Sequence, residues 1–254
     1  MPVTKKIIFL TILLAVLYSG YRLLPVFYRS NIEIITEKQD DFRNITNTII
    51  PQATNPIPSA TPDYYLIKTA FIPQAPEKNW DQPWQDSCEE AALLTIDYFY
   101  KNLHPDVSTI KQDILNMIVF ETSQNMTHDI NLSQMSLVAN DYLSYNSEIL
   151  TDPTIQDLKY QIVKDHPIVV PANGKILYQE NKFFKNGGPY YHNLVILGFD
   201  DSKQEFIVHD VGTQFGAYFH YSYDLLIESI HDFPLSGVKE DINSGIKQVL
   251  ILIK

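Results

Sequence analysis

Cys88 is the only cysteine in the chain, and it stands in the run "QDSCEEAALLTIDYFY". Ser87 followed by Glu90, just ahead of apolar residues, is a capping-box pattern, so the spacing predicts a helix that begins at Cys88. A thiol on the first turn of a helix meets the positive end of the helix dipole. That lowers its pKa and favours the nucleophilic thiolate. The polar flank argues against a buried, inert sulfur, and the side chains of Glu89 and Glu90 are expected to point away from it. One thiol excludes an internal disulfide and any zinc site built on several thiolates.

A nucleophile needs a base, and the base needs an orienting group. The stretch "HNLVILGFDDSKQEFIVHD" (192–210) reads as a hairpin that offers both. Alternation puts His192, Leu194 and Ile196 on one face of the first strand, and Phe206, Val208 and Asp210 on one face of the second. A turn centred on Asp200-Asp201-Ser202 makes Ile196 face Phe206, Leu194 face Val208 and His192 face Asp210. Facing residues lie about 4.5–5.5 Å apart, within reach of an imidazole–carboxylate hydrogen bond. The same register leaves His209 on the opposite face. The remaining histidines, His104, His128, His166, His220 and His231, show no close metal-ligand spacing with carboxylates.

The elements that must position these groups segregate along the chain. Helices are expected from Cys88, from Val107 to about Phe120 with Ile110, Ile114 and Ile118 in register, and over 132–142. A fourth starts after Asp152, with Pro153 at its first position. Short β-branched and aromatic segments follow at 167–172, 192–199, 205–210, 217–221 and 248–253, with a brief helix near 222–230. Helices first and an antiparallel sheet second is an α+β domain. The segment 180–191, "ENKFFKNGGPYY", reads as a loop able to cover a substrate just ahead of His192.

Residues 1–28 begin with Lys5 and Lys6 and run apolar from Ile7 to Tyr18, then past Arg22 to Tyr28. Counted to Tyr28, the stretch reaches the roughly 20 residues a bilayer needs. An uncleaved signal anchor, a cleaved signal peptide and a buried helix remain open. Lysines on the amino side leave that end in the cytoplasm and the rest of the chain outside. The domain is then expected at the cell membrane on a single pass, or secreted after cleavage. Residues 29–62, rich in Asn, Thr and Pro, read as a linker, and 63–254 as the folded domain. Of 254 residues 45% are hydrophobic and 19% charged, which is globular composition. A net charge of −11 without a long basic run gives a nucleic-acid partner no electrostatic support.

"FIPQAPEKNWDQPWQDSCEEAAL", "HPIVVPANGK" and "GGPYYHNLVILGFDDSKQEFIVHDVGTQFG" together resemble cysteine-peptidase family thirty-nine in its stand-alone bacterial form. That family comprises bacteriocin-processing, double-glycine-leader peptidases with a papain-like fold. The resemblance covers roughly 64–254. It implies Cys88 as nucleophile, His192 as general base and acid, and Asp210 as its orienter, with neither metal nor cofactor. It also implies a glutamine ahead of the cysteine that donates to the oxyanion. Gln74 in "IPQAP" matches the usual position in stand-alone members. Gln82 has the six-residue spacing of the wider papain-like group, and Gln85 is third. The common family pattern after the cysteine is Gly-Pro or Gly-Leu, whereas this chain has Glu89-Glu90. No Gly-rich phosphate loop of an exporter ATPase is present. With the amino-terminal reading, the resemblance gives a membrane-tethered or exported peptidase, expected as a monomer, acting on a peptide or protein. The alternatives are a catalytically impaired peptide-binding module on the same fold, or an amidase or acyl transferase using the same triad.

Overall fold

A computed structural model describes residues 61–254. The apolar segment within 1–28 and the linker lie outside these residues. Among the described residues, no helix is long and apolar enough to cross a membrane.

Strand β1 (Tyr64–Leu66) opens the fold, and a short 3-10 turn (Trp84–Asp86) leads into helix α1 (Cys88–Lys101). Helix α2 (Val107–Ser123), helix α3 (Leu132–Leu137) and strand β2 (Asn146–Thr151) follow. Next come α4 (Ile155–Ile162), β3 (Ile168–Asn173), α5 (Gly174–Leu177), β4 (Tyr191–Asp200) and β5 (Glu205–His209). Strand β6 (Phe219–Ser222), helix α6 (Tyr223–Ser229) and strand β7 (Gln248–Ile253) complete the domain. The architecture is α+β. The strands pair antiparallel in the order β2-β7-β3-β4-β5-β6, and β1 adds to β4.

Helix α1 is buried from Cys88 to Tyr98 and packs on β4, so it is a core helix with no solvent stripe over that length. Leu93 and Ile96 are fully enclosed. Side chains of this kind each contribute roughly 1.5–3 kcal/mol by leaving water. The helix stops at Asn102, whose left-handed backbone returns its N–H to Tyr98 and Phe99. In α2 the buried stripe runs Ile110, Ile114, Met117, Glu121 rather than through Ile118, because 3.6 residues per turn rotates a strict fourfold spacing off the core.

The expected capping box at Ser87 does not form. The 3-10 turn delivers the chain to α1 already curled, and the Ser87 hydroxyl donates back to the Pro83 carbonyl at 3.0 Å. Capping boxes stand instead at Asn131 with Gln134, and at Thr154 with Asp157. Thr154 is the cap of α4, which places Pro153 just ahead of the helix rather than at its first position. The helix expected over 132–142 is α3 continued by a π-helical turn, Val138–Tyr142.

The β4–β5 register also departs from expectation. Ile196 faces Val208 and Val195 faces His209, a shift of two residues, and a bulge between Ile196 and Gly198 moves the distal pairs by one more. The turn is longer than assumed, taking in Asp201–Gln204. A two-residue shift preserves side-chain parity, so His192 and Asp210 still share a face and His209 still lies on the other.

Candidate active site

His192 sits near the start of β4, where the strand is paired to β3 through Ala172. Asp210 follows the last residue of β5 and is fully buried. The imidazole Nε2 and Asp210 Oδ1 lie 2.8 Å apart. Three more groups donate to this carboxylate: the Gly212 N–H to Oδ1 at 3.1 Å, and the Tyr221 hydroxyl and Asn181 amide to Oδ2 at 2.6 and 2.8 Å. Burial works against a charge here, but His192, Tyr221 and Asn181 outweigh it and hold the Asp210 pKa below its ordinary value. An ionised carboxylate has only lone pairs to offer, so Nε2 carries the ring proton and Nδ1 is the nitrogen left to exchange one.

The imidazole is clamped. Phe184 meets it edge to face at 5.3 Å between centroids, and Gly212 lies against its rim. A Cβ on Gly212 would fall 2.5 Å from His192 Cε1. Gly212→Ala is therefore expected to push the ring off its position while leaving the fold intact. Misplacement by about 1 Å costs roughly 100-fold in rate. Peptide turnover by G212A at wild-type rate would show that the ring position is not critical.

The expectation for the sulfur needs correction. Cys88 begins α1 as foreseen, but the polar residues around it are themselves buried: Ser87 and Glu89 are fully enclosed and Glu90 nearly so. Glu89 does not point away. The Cys88 thiol donates to Glu89 Oε2 at 3.0 Å, and the Ile130 N–H holds Oε1 at 3.2 Å. On its other side the Asn193 amide approaches the sulfur at 3.8 Å. Burial first, and the Glu89 charge second, push the thiol pKa well above its ordinary value. The direction is thus opposite to the helix-dipole expectation. His192 is not among the thiol's hydrogen-bond partners in the described residues, although both side chains line one cleft of about 550 Å³.

The glutamines separate. Gln74 is buried and lines the cleft with Cys88. Its amide nitrogen donates to the carbonyls of Trp84 and Gln85 at 3.0 and 2.9 Å, which ties down the turn ahead of the cysteine. Gln85 is exposed and also lines the cleft. Gln82 is exposed, donates to Asp86 at 2.6 Å and does not line the cleft. His209 lies away from the thiol, its Nδ1 accepting from the Tyr218 N–H at 3.1 Å; burial lowers its pKa to about 4.

The segment before β4 forms one wall of the cleft through Phe183, Phe184 and Tyr190. It seats on α5 where Gly188, at φ +83°, passes so close to Gly174 that a Cβ would meet its carbonyl oxygen at 2.2 Å. Phe183 stacks on Phe215 at 4.7 Å, and both are more than half exposed at the rim. Asn181, Tyr221, Gly212 and Asn193 were not found by sequence reasoning. Tyr221 was within reach of it: it faces Phe206 across β5–β6, which puts it on the Asp210 face. Asn181 lies in a loop, where no periodicity marks a partner.

A model of the Peptidase_C39 like family matches residues 67–231. No curated protein matches. Among solved structures, a candidate C39-like peptidase from Bacillus anthracis matches at 16% identity with a TM-score of 0.35, over 49% of this chain and 60% of that one.

Proposed function

Because the chain belongs to the Peptidase_C39 like family, matched over 67–231, we propose that it is a cysteine peptidase working through Cys88, His192 and Asp210. The observation that carries this reading is the buried His192–Asp210 pair, 2.8 Å apart, opening on the cleft that Cys88 also lines. In the proposed reaction the thiol proton passes to His192 and the thiolate attacks a peptide carbonyl. The imidazolium then protonates the leaving amine, and water releases the acyl group from sulfur. Asp210 keeps the ring oriented and stabilises its charged form. The substrate is a peptide or protein lying past Phe183 and Phe215, and the enzyme is a monomer. Its place is the outer side of the membrane, tethered by residues 1–28; the support is Lys5 and Lys6 ahead of the apolar run.

The thiol–Glu89 contact favours a second reading, a peptide-binding module whose nucleophile has been blunted. Cleavage of a mixed peptide library, read by mass spectrometry, separates the two. Wild-type protein should cut and Cys88→Ala should not; binding without cutting by both would select the module. Within the enzyme reading, Gln74→Ala should cost roughly 100- to 1000-fold in turnover. Gln82→Ala, at an exposed position, should cost little, and a larger loss there would reverse the oxyanion assignment.

A further inference from the structure

We propose that Glu89 is a positioning residue for the nucleophile: its carboxylate holds the Cys88 thiol proton in the resting protein, and the proton reaches His192 only after the thiol leaves that carboxylate. The inference rests on the peptidase reading for its functional meaning, while the contact itself is independent of it. The thiol donates to Oε2 at 3.0 Å. Oε1 is pinned by the Ile130 N–H at 3.2 Å, and Glu89 is fully buried, so the carboxylate is fixed beside the sulfur.

Burial, helped by the Asp129 charge and opposed by the thiol's own hydrogen bond, pushes the Glu89 pKa well above its ordinary value, so the acidic surroundings keep protons on the Glu89–Cys88 pair as a whole. Asp129 faces Glu89 from the loop before α3, Glu90 adjoins it on α1 with Glu121 of α2 behind, and Tyr191 approaches from β4, while the Asn193 amide reaches the sulfur and His192 shares its cleft. Asp232, after α6, adds to the field at Tyr191, and Asp86 to that at Asp129. Lys239 lies 3.9 Å from Asp129, and both it and His128 offset part of the burial that raises the Asp129 pKa. Ionising the thiol beside Glu89 puts two negative charges together and removes the S–H donor. Both effects keep the proton on sulfur. Release follows a balanced step: the S–H bond breaks, an N–H bond forms at His192 Nδ1, and a thiolate–imidazolium pair results with no other reactant.

The test is the pH profile of iodoacetamide alkylation of the folded protein. Wild type should titrate above the free-thiol value of about 8.5. In E89Q the Ile130 N–H claims the amide oxygen, which turns the NH₂ toward sulfur as a donor for the thiolate. The midpoint should fall by at least one unit, which at pH 7 is roughly a tenfold faster reaction. Glu89→Ala should shift the same way by less, since it removes the charge and adds no donor. A wild-type midpoint at or below the free-thiol value overturns the proposal without any variant, and so do superimposable profiles for wild type and E89Q. A displaced wild-type profile in a protein that cuts no peptide supports the thiol hold and removes only the peptidase reading.

Discussion

Replacing Cys88 by alanine is expected to abolish peptide hydrolysis, and replacing His192 by alanine to do nearly the same, each by at least about 10⁴-fold. Groups that act as one unit do not lose additively, so His192→Ala on top of Cys88→Ala should cost nothing further. Asp210→Asn is the informative case. Oδ1 accepts from His192 and Gly212, and Oδ2 from Tyr221 and Asn181. An NH₂ at the first position would face the Gly212 N–H, a donor that cannot reverse. At the second, the Tyr221 hydroxyl can turn to accept. The amide oxygen is therefore expected toward His192, keeping the ring's tautomer and losing only the charge. The loss should be intermediate, on the order of 10²–10³-fold. Additive losses in the double variant, or an Asp210→Asn enzyme as dead as His192→Ala, would break the triad apart.

The Glu90–Glu121 pair should make stability fall as pH rises from about 4.3 through about 7 and beyond, and Glu121→Gln should flatten that fall. Glu90 of α1 and Glu121 of α2 are nearly fully buried, and one oxygen of each lacks a partner. A shared proton satisfies both. Burial, then the neighbouring charge, raises the Glu90 pKa well above its ordinary value, and burial raises that of Glu121 to about 7. An acid whose pKa is raised by folding gives stability that is present below its unfolded value and is lost as pH rises through its folded value. The loss is about 1.4 kcal/mol per pH unit for each proton the folded state retains and the unfolded chain has released. His209, whose burial gives the opposite dependence until the unfolded imidazole is neutral, is common to both proteins and cancels in the comparison. The amide of E121Q donates to Glu90 without a proton to share. Urea unfolding between pH 5 and 8 should thus show a shallower fall for E121Q; equal slopes would mean that the pair shares no proton in the folded state.

The positions of the strands and the start of α1 were legible because apolar runs and β-branched segments mark them locally. The common face of His192 and Asp210 was legible despite a misjudged turn, because an even shift leaves parity unchanged. Strands β1 and β2 were not: β1 is only three residues long, and β2 is largely polar and relies on its pairing with β7 for what its composition does not supply. The burial of Glu89 and Glu90 was the larger miss. Nothing in "SCEEAAL" reports that one carboxylate will find the Ile130 N–H and the other a second acid on α2. Those partners lie 41 and 31 residues away along the chain. Local polarity was read as exposure, and tertiary contacts reversed it.

Strand β1 joins β4 opposite Gly198, Phe199 and Asp200, while His192 sits at the far end of that strand, held by β3. A pull on the chain from upstream of Tyr64 therefore loads a three-residue pairing first. The next anchors are the Ile67 N–H, which donates to the Leu197 carbonyl at 2.8 Å, the Thr69 carbonyl, which accepts from the Tyr218 hydroxyl at 3.0 Å, and the Gln74 N–H, bonded to Val211 at 3.0 Å. The first link to be loaded in this series lies farthest from the imidazole. Mechanical tension on the amino-terminal side would peel β1 away before it displaced His192, so the domain can be tugged without detuning its cleft.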